Sequence, residues 1–250
     1  MNSSVRYTRR EFFALSLTGT LFGWLPWRKP KVIALDGARF QIIRGKRSRR
    51  RYLVIHGDEE TARKVLTAHM ETHRGIAYIA EGHTRDVEIA GGKIDPNRMF
   101  SRAGAEASLK QLNPTWTPQQ VDEALAVLDA GREELLHAFF PPDHGLLIAL
   151  HNNSDAYSVT DEIALSNVRS LKQPDDPHAF FLCTHAADYS VLAGSPYNVV
   201  LEREVRAPDD GSLSRRAAAR GVRYVNIEVR SGDAGLQREM LAWVESHLPL

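Results

Sequence analysis

Short apolar runs that alternate with helix-like segments are the strongest constraint on the fold of this 250-residue chain. Residues 52–56, 145–151 and 222–229 are apolar runs of strand length, and apolar residues recur at helical spacing after the first and the last of them. Such alternation is typical of layered α/β proteins with a parallel or mixed sheet. We therefore expect an α/β fold.

The individual elements are predicted from the same pattern. We expect strands at residues 31–35, 38–43, 52–56, 76–80, 145–151, 179–184 and 222–229. Helices are expected at 59–73, from Thr117 to about His137, and from about Ala234 onward. The pair Asp36-Gly37 predicts a tight hairpin, and Thr117-Pro-Gln-Gln predicts a capped helix start.

The balance of charged residues and the number of cysteines exclude some classes of partner and of site. Lys and Arg together number 32 and Asp and Glu number 31, for a net charge of +1, whereas nucleic-acid-binding domains are usually strongly basic. We therefore expect no nucleic-acid partner. The single cysteine, Cys183, excludes an internal disulfide or a multi-cysteine zinc site. Because it lies among apolar residues, we expect a buried, inert thiol.

Residues 1–30 are typical of a targeting segment. Arg9-Arg10 precede the largely apolar stretch from Phe12 to Leu25, and this pattern resembles a twin-arginine export signal. The stretch is shorter than the roughly 20 residues that a membrane helix needs. A buried N-terminal helix is the alternative. Since no clear cleavage site follows, the segment could also remain as an anchor. We expect a periplasmic or membrane-anchored protein with a single folded domain at residues 31–250.

Polar side chains follow two of the predicted strands. His56 and Glu59 come at the end of one strand, and His151 ends another. Open α/β sheets bind ligands at the carboxyl ends of their strands. Two imidazoles and one carboxylate suit zinc and leave its fourth position open for water.

Four motifs occur in order between residues 52 and 229. They are His56-Gly-Asp-Glu59, Asp95-Pro-Asn97-Arg98, Leu150-His151-Asn-Asn and Tyr224-Val-Asn-Ile-Glu228. Together they resemble the zinc carboxypeptidase superfamily, and most nearly its branch of aspartoacylases, succinylglutamate desuccinylases and murein-peptide amidases. The resemblance implies an α/β/α sandwich with a mixed, twisted central sheet.

The resemblance also implies a metal centre. His56, Glu59 and His151 would bind one Zn²⁺ per chain, and Glu228 would act as the general base. Zinc lowers the pKa of a bound water towards about 7 and polarises a carbonyl group. Such a site hydrolyses amide bonds, with the general base passing a proton to the leaving amine.

Asn97 and Arg98 are the implied substrate-binding residues. The planar guanidinium of Arg98 suits bidentate binding of a carboxylate. We therefore expect hydrolysis of an amide bond close to a free carboxylate, in a small peptide or an N-acyl amino acid. The alternative is a non-catalytic protein on the same fold that binds carboxylate-bearing peptides.

Some positions depart from the family pattern. Ala149 stands two residues before His151, where the family commonly has Asp. The second arginine of the family has no clear counterpart, although Arg85 or Lys93 could substitute. These losses could weaken activity.

Two further clusters have more ordinary interpretations. His69 and His73 are one helical turn apart, and we expect a solvated helix face there. Arg44 to Arg51 includes six cations, which predicts an exposed hairpin flank or a contact with anionic lipid or wall polymer.

Overall fold

A computed structural model describes residues 31–202 and 209–250 as an α/β fold with one large mixed sheet flanked by helices. The predicted export segment, residues 1–30, lies outside the described residues. Within the described residues, no helix is both long and apolar enough to cross a membrane.

The strands and helices alternate along the chain. The strands are β1 (Lys31–Leu35), β2 (Ala38–Arg44), β3 (Lys46–Val54), β4 (Arg74–Ala80), β5 (Val87–Ile89), β6 (Gly92–Ile94), β7 (Leu146–Asn153), β8 (Val168–Ser170), β9 (Phe180–Cys183), β10 (Asn198–Leu201) and β11 (Tyr224–Arg230). The helices are α1 (Glu60–Thr72), α2 (Arg102–Leu112), α3 (Pro118–Phe139), α4 (Val159–Ile163), α5 (Ala186–Leu192), α6 (Leu213–Ala219) and α7 (Ala234–His247).

Nine strands form the large sheet, in the order β1-β2-β4-β3-β7-β11-β9-β10-β8. The central strands β4, β3, β7 and β11 are parallel, whereas β2 and β9 run antiparallel to them. The mixed sheet predicted from the sequence is thus confirmed. Because β3, β7 and β11 are parallel neighbours, their carboxyl ends share one edge of the sheet.

The apolar run of β7 has both faces covered. Leu147 and Ala149 belong to a core that includes residues of α2, α3 and α6. Leu146, Ile148 and Leu150 belong to a second core that includes residues of α1, α5 and α7. Burial on both faces explains why this strand is continuously apolar rather than alternating.

The cation-rich segment is not simply an exposed flank. Arg44 ends β2, and the cations from Lys46 onward form the first part of β3, which therefore starts at Lys46 instead of residue 52. Arg50 is buried, with Nε 3.1 Å from Glu245 Oε2 and Nη2 donating to the Leu248 carbonyl at 2.8 Å. The expectation of exposure is wrong for Arg50 because α7 and the residue that follows it supply these partners, while Arg49 remains exposed.

The helix face with two histidines also differs from the expectation. The His69 side chain is only 8% exposed, and its ring stacks on that of His73 at 3.7 Å. His73 is exposed, so the predicted solvated face is confirmed for this residue alone. Cys183 is buried in β9, as predicted.

We predict that Arg50→Gln destabilises the fold much more than the neighbouring change Arg49→Gln. The first substitution leaves Glu245 without its close cation and the Leu248 carbonyl without its donor, at a cost of roughly 3 kcal/mol in the free energy of unfolding. The exposed Arg49 should contribute within about 0.5 kcal/mol. Urea denaturation measures both values. Equal effects would contradict the assigned role of Arg50.

Candidate metal centre

Three parallel strands bring the candidate residues together at one edge of the sheet. His56 follows the end of β3, His151 lies near the end of β7, and Glu228 lies near the end of β11. Glu228 is paired in register with His151, and β3 lies along the other side of β7. Residues far apart in sequence thereby meet where ligands usually bind.

The predicted ligand set forms a compact buried group. Nδ1 of His56 lies 2.9 Å from Glu59 Oε1, and Nδ1 of His151 lies 3.1 Å from the same oxygen. One ligand atom from each of the three residues lies within 4.8 Å of the others. All three residues are at most 5% exposed. This group could hold a metal ion.

One oxygen of the group has no partner of its own. Glu59 Oε2 is buried and accepts no hydrogen bond from the described residues. A buried carboxylate oxygen without a partner is costly, and metal coordination would satisfy it. The donor set therefore fits a metal in chemistry as well as in position.

A close approach of two loops sets the turn from β3 into α1. A Cβ at Gly57 would lie 2.7 Å from the Thr84 carbonyl oxygen, so only glycine fits without a shift. Arg63 fixes this arrangement by donating from Nη2 to the carbonyls of Gly57 and Gly82. The tight turn lets Glu59 face back towards His56.

Asp95 is a site residue for which the sequence motif suggested no role. Its Oδ1 lies 2.9 Å from His56 Nε2, on the side of the ring away from Glu59. It also accepts a hydrogen bond from the Asn97 backbone at 2.8 Å. A carboxylate on the outer nitrogen of a ligating histidine fixes the tautomer and orients the ring.

The carboxylates and imidazoles of this cluster shift one another's pKa values. Burial raises the pKa of Glu59, but His151 and His56 outweigh burial and bring that pKa down to about 2. Burial lowers the pKa of His56, but Glu59 and Asp95 outweigh it and raise that pKa to about 9. The carboxylates thus make the position between the rings favourable for positive charge.

Glu228 lies beside this cluster as a buried carboxylate. Asn226 Nδ2 donates to its Oε1 at 2.9 Å, and Asn153 Nδ2 donates to its Oε2 at 3.2 Å. Burial raises its pKa, Glu59 adds to this, and His151 and the two amides only partly oppose it. A raised pKa makes a carboxylate a stronger base, which suits it to accept a proton and later return it.

The predicted substrate-binding residues line the same cavity but have protein partners. Asn97 Oδ1 accepts a hydrogen bond from the Leu213 backbone at 3.0 Å, which ties the motif to the start of α6. Arg98 Nη1 lies 3.0 Å from Asp210 Oδ2, and both side chains are 37% exposed. The remaining N–H groups of Arg98 could still bind a ligand carboxylate.

Of the two substitutes suggested for the missing arginine, only one is near the site. Arg85 lines the cavity and lies 3.3 Å from Asp95 Oδ2, while the exposed Lys93 is not among the lining residues. Ala149 is fully buried in an apolar core, so no carboxylate stands behind His151 at that position.

The cavity has a volume of about 560 Å³ and is lined mainly by polar side chains. Its wall includes the His56–Glu59–His151 group and Glu228, and also Glu162 of α4, Glu202 directly after β10, and Ser214 and Arg215 of α6. This size suits a small ligand. The chain matches no protein-family model, no curated protein and no solved structure.

We predict that Asp95→Ala weakens zinc binding about 10–100-fold, because His56 loses the carboxylate that orients it. Competition with a chromophoric chelator measures this affinity. Asp58→Ala is the matched control, since Asp58 lines the same cavity and, within the described part of the chain, hydrogen-bonds to neither imidazole. Equal losses in both variants would show that only nearby charge matters.

Proposed function

We propose that this protein is a zinc-dependent hydrolase that cleaves an amide bond close to a free carboxylate, on a three-layer fold of the zinc carboxypeptidase type. The observation that carries the proposal is the buried His56–Glu59–His151 group with the carboxylate of Glu228 beside it. Two imidazoles and one carboxylate are the ligand set of catalytic zinc sites that keep one position open.

Zinc in this position would supply a water of lowered pKa and would polarise the scissile carbonyl group. The protein supplies the proton transfer. Glu228 would accept the proton of the attacking water and return it to the leaving amine. Asn153 and Asn226 hold the Glu228 carboxylate in one orientation, which favours transfer along a fixed direction.

Arg98 would hold the carboxylate of the substrate. Its ion pair with Asp210 keeps the guanidinium in the cavity wall, and its 37% exposure leaves N–H groups accessible to a ligand. Arg85, held by Asp95, is the second cation on the wall near the metal group and is the candidate for polarising the carbonyl group.

A non-catalytic carboxylate-binding protein is the second candidate. Ala149 favours it, because this residue removes a carboxylate that would support His151. Two observations favour the enzyme: Asp95 supports the other imidazole, and Glu228 is buried next to the metal group. Within the enzyme proposal, peptides and N-acyl amino acids are both open as substrates. The N-terminal sequence pattern supports export to the periplasm as part of the proposal.

Metal content and hydrolysis test the proposal together. We expect the purified protein to bind one zinc per chain and to hydrolyse members of a panel of cell-wall peptides and N-acyl amino acids. A chelator should abolish this activity, and added zinc should restore it. One bound zinc without hydrolysis of any panel member would favour the binding protein, and failure to bind zinc would refute the metal centre.

We predict that Glu228→Gln keeps zinc and lowers kcat about 10²–10⁴-fold, because the amide cannot accept the proton of water. Metal analysis and steady-state kinetics on the same preparation separate the two effects. Unchanged activity would remove Glu228 from proton transfer. Loss of zinc would instead indicate that Glu228 is a ligand.

We predict that Arg98→Lys retains the charge but loses the planar fork, and so lowers kcat/KM about 10–150-fold on substrates with a free carboxylate. The amidated form of each substrate provides the comparison. Wild type should prefer the acid, and the variant should lose most of that preference. Equal rates on the acid and its amide with wild-type protein would contradict the role of Arg98.

A further inference from the structure

The cavity contains buried polar atoms that lack hydrogen-bond partners, and all of them are acceptors. Within the described residues they are Glu59 Oε2, Asn153 Oδ1, Glu202 Oε2 and Asn226 Oδ1. In the same part of the chain, no buried donor without a partner lines this cavity. A bound metal would account for Glu59, which leaves three oxygens that need a donor from elsewhere.

The two amide oxygens lack partners for a structural reason. Asn153 and Asn226 both turn their Nδ2 groups towards Glu228, so their oxygens cannot face the same carboxylate. Asn153 Nδ2 also donates to the His178 carbonyl at 2.8 Å, which fixes this orientation. These oxygens remain available to a ligand that brings N–H groups.

Among the described residues that line the cavity away from the metal group, carboxylates outnumber cations. Three carboxylates, Glu162, Glu202 and Asp210, line this part together with two guanidinium groups, Arg98 and Arg215. The Asp210 carboxylate forms ion pairs with both cations. Its Oδ2 lies 3.0 Å from Arg98 Nη1, and its Oδ1 lies 3.4 Å from Arg215 Nε. The Arg215 side chain also lies 3.2 Å from Glu202. If Arg98 binds a substrate carboxylate, the other groups retain a negative excess.

The pKa shifts of Glu202 and Glu162 agree with this excess of negative charge. Burial raises the pKa of Glu202 to about 7, and Glu162 and Asp210 add to this, whereas a hydrogen bond with Ser214 and the charge of Arg215 only partly oppose it. Burial likewise raises the pKa of Glu162, although Tyr157 donates a hydrogen bond to it at 2.6 Å. Both carboxylates would be stabilised by a further positive charge.

We propose that this end of the cavity binds a primary ammonium group of the substrate, with Glu202 as its main anchor. A primary ammonium brings one positive charge and three N–H donors, and Glu202 Oε2, which is buried without a partner among the described residues, lacks such a donor. This inference rests on the proposed function and specifies the substrate class of the enzyme. The substrates would be amides in which the residue with the free carboxylate has a basic, amine-bearing side chain.

One series of ion pairs connects the two proposed binding positions. Arg98, Asp210, Arg215 and Glu202 form a continuous chain of ion pairs along the cavity wall. A carboxylate at Arg98 and an ammonium at Glu202 would thus bind at the two ends of this series. A single amino acid with an extended amine side chain has this combination of groups.

Binding of free amino acids tests the inference without any hydrolysis. L-Lysine and L-norleucine share the carboxylate and the α-amine, but norleucine lacks the terminal ammonium. We expect the wild-type protein, titrated calorimetrically with and without added zinc, to bind lysine at least about tenfold more tightly than norleucine, as for a hydrogen bond to a charged group. Equal binding of the two, or tighter binding of L-glutamate than of lysine, would overturn the proposal.

Substitutions of the cavity carboxylates test where the ammonium group of the ligand binds. Glu202→Gln should reduce the preference for lysine about tenfold, whereas Glu133→Gln, a control on a surface ion pair with Arg220, should retain it. If Glu202→Gln does not fold, Glu162→Gln should still lower the preference. A folded Glu202→Gln with the wild-type preference would contradict the assignment.

The experiments distinguish failure of the ammonium site from failure of the proposed enzyme function. Lysine preference in a protein that binds no zinc or hydrolyses no amide would refute the enzyme and support the ammonium site. Zinc binding and hydrolysis without lysine preference would refute only the ammonium site.

Discussion

A carboxylate buried between two imidazoles is the constraint on which the site depends. Glu59 is 4% exposed, shares one oxygen between His56 and His151, and leaves its other oxygen without a partner. A charge so far from water needs a compensating positive charge. Both imidazoles contact only Oε1 of this carboxylate, and a metal ion would supply the positive charge. Asp95 and Glu228 extend the same negative region on either side.

The sheet holds these charged side chains in fixed positions close to one another. Parallel strands with apolar residues on both faces form a rigid layer, and the polar residues occur where β3, β7 and β11 end. Gly57 allows the tight turn that aims Glu59, and the Asp95-capped turn places Asn97 and Arg98 along the cavity wall. The scaffold thus fixes the candidate metal group, the base and the anion-binding groups relative to one another.

Local patterns in the sequence were sufficient for part of this arrangement. The apolar run of β7 and the capped start of α3 were predictable, because they depend on neighbouring residues only. The contacts of Arg50 and Asp95 were not, since their partners are 195 and 39 residues away and cationic or acidic runs usually face solvent. The order of the motifs predicts the ligand set, whereas the partnerless oxygen of Glu202 is evident only from the three-dimensional structure.

The central claim is that His56, Glu59 and His151 bind one ion through the atoms that face each other in the structure. Crystals of the zinc-loaded protein, with anomalous scattering measured at the zinc edge, test it directly. The account predicts one peak per chain, about 2.0–2.2 Å from Nδ1 of both histidines and from a Glu59 oxygen. A zinc peak bound elsewhere, or no peak at this group in zinc-saturated crystals, would contradict it.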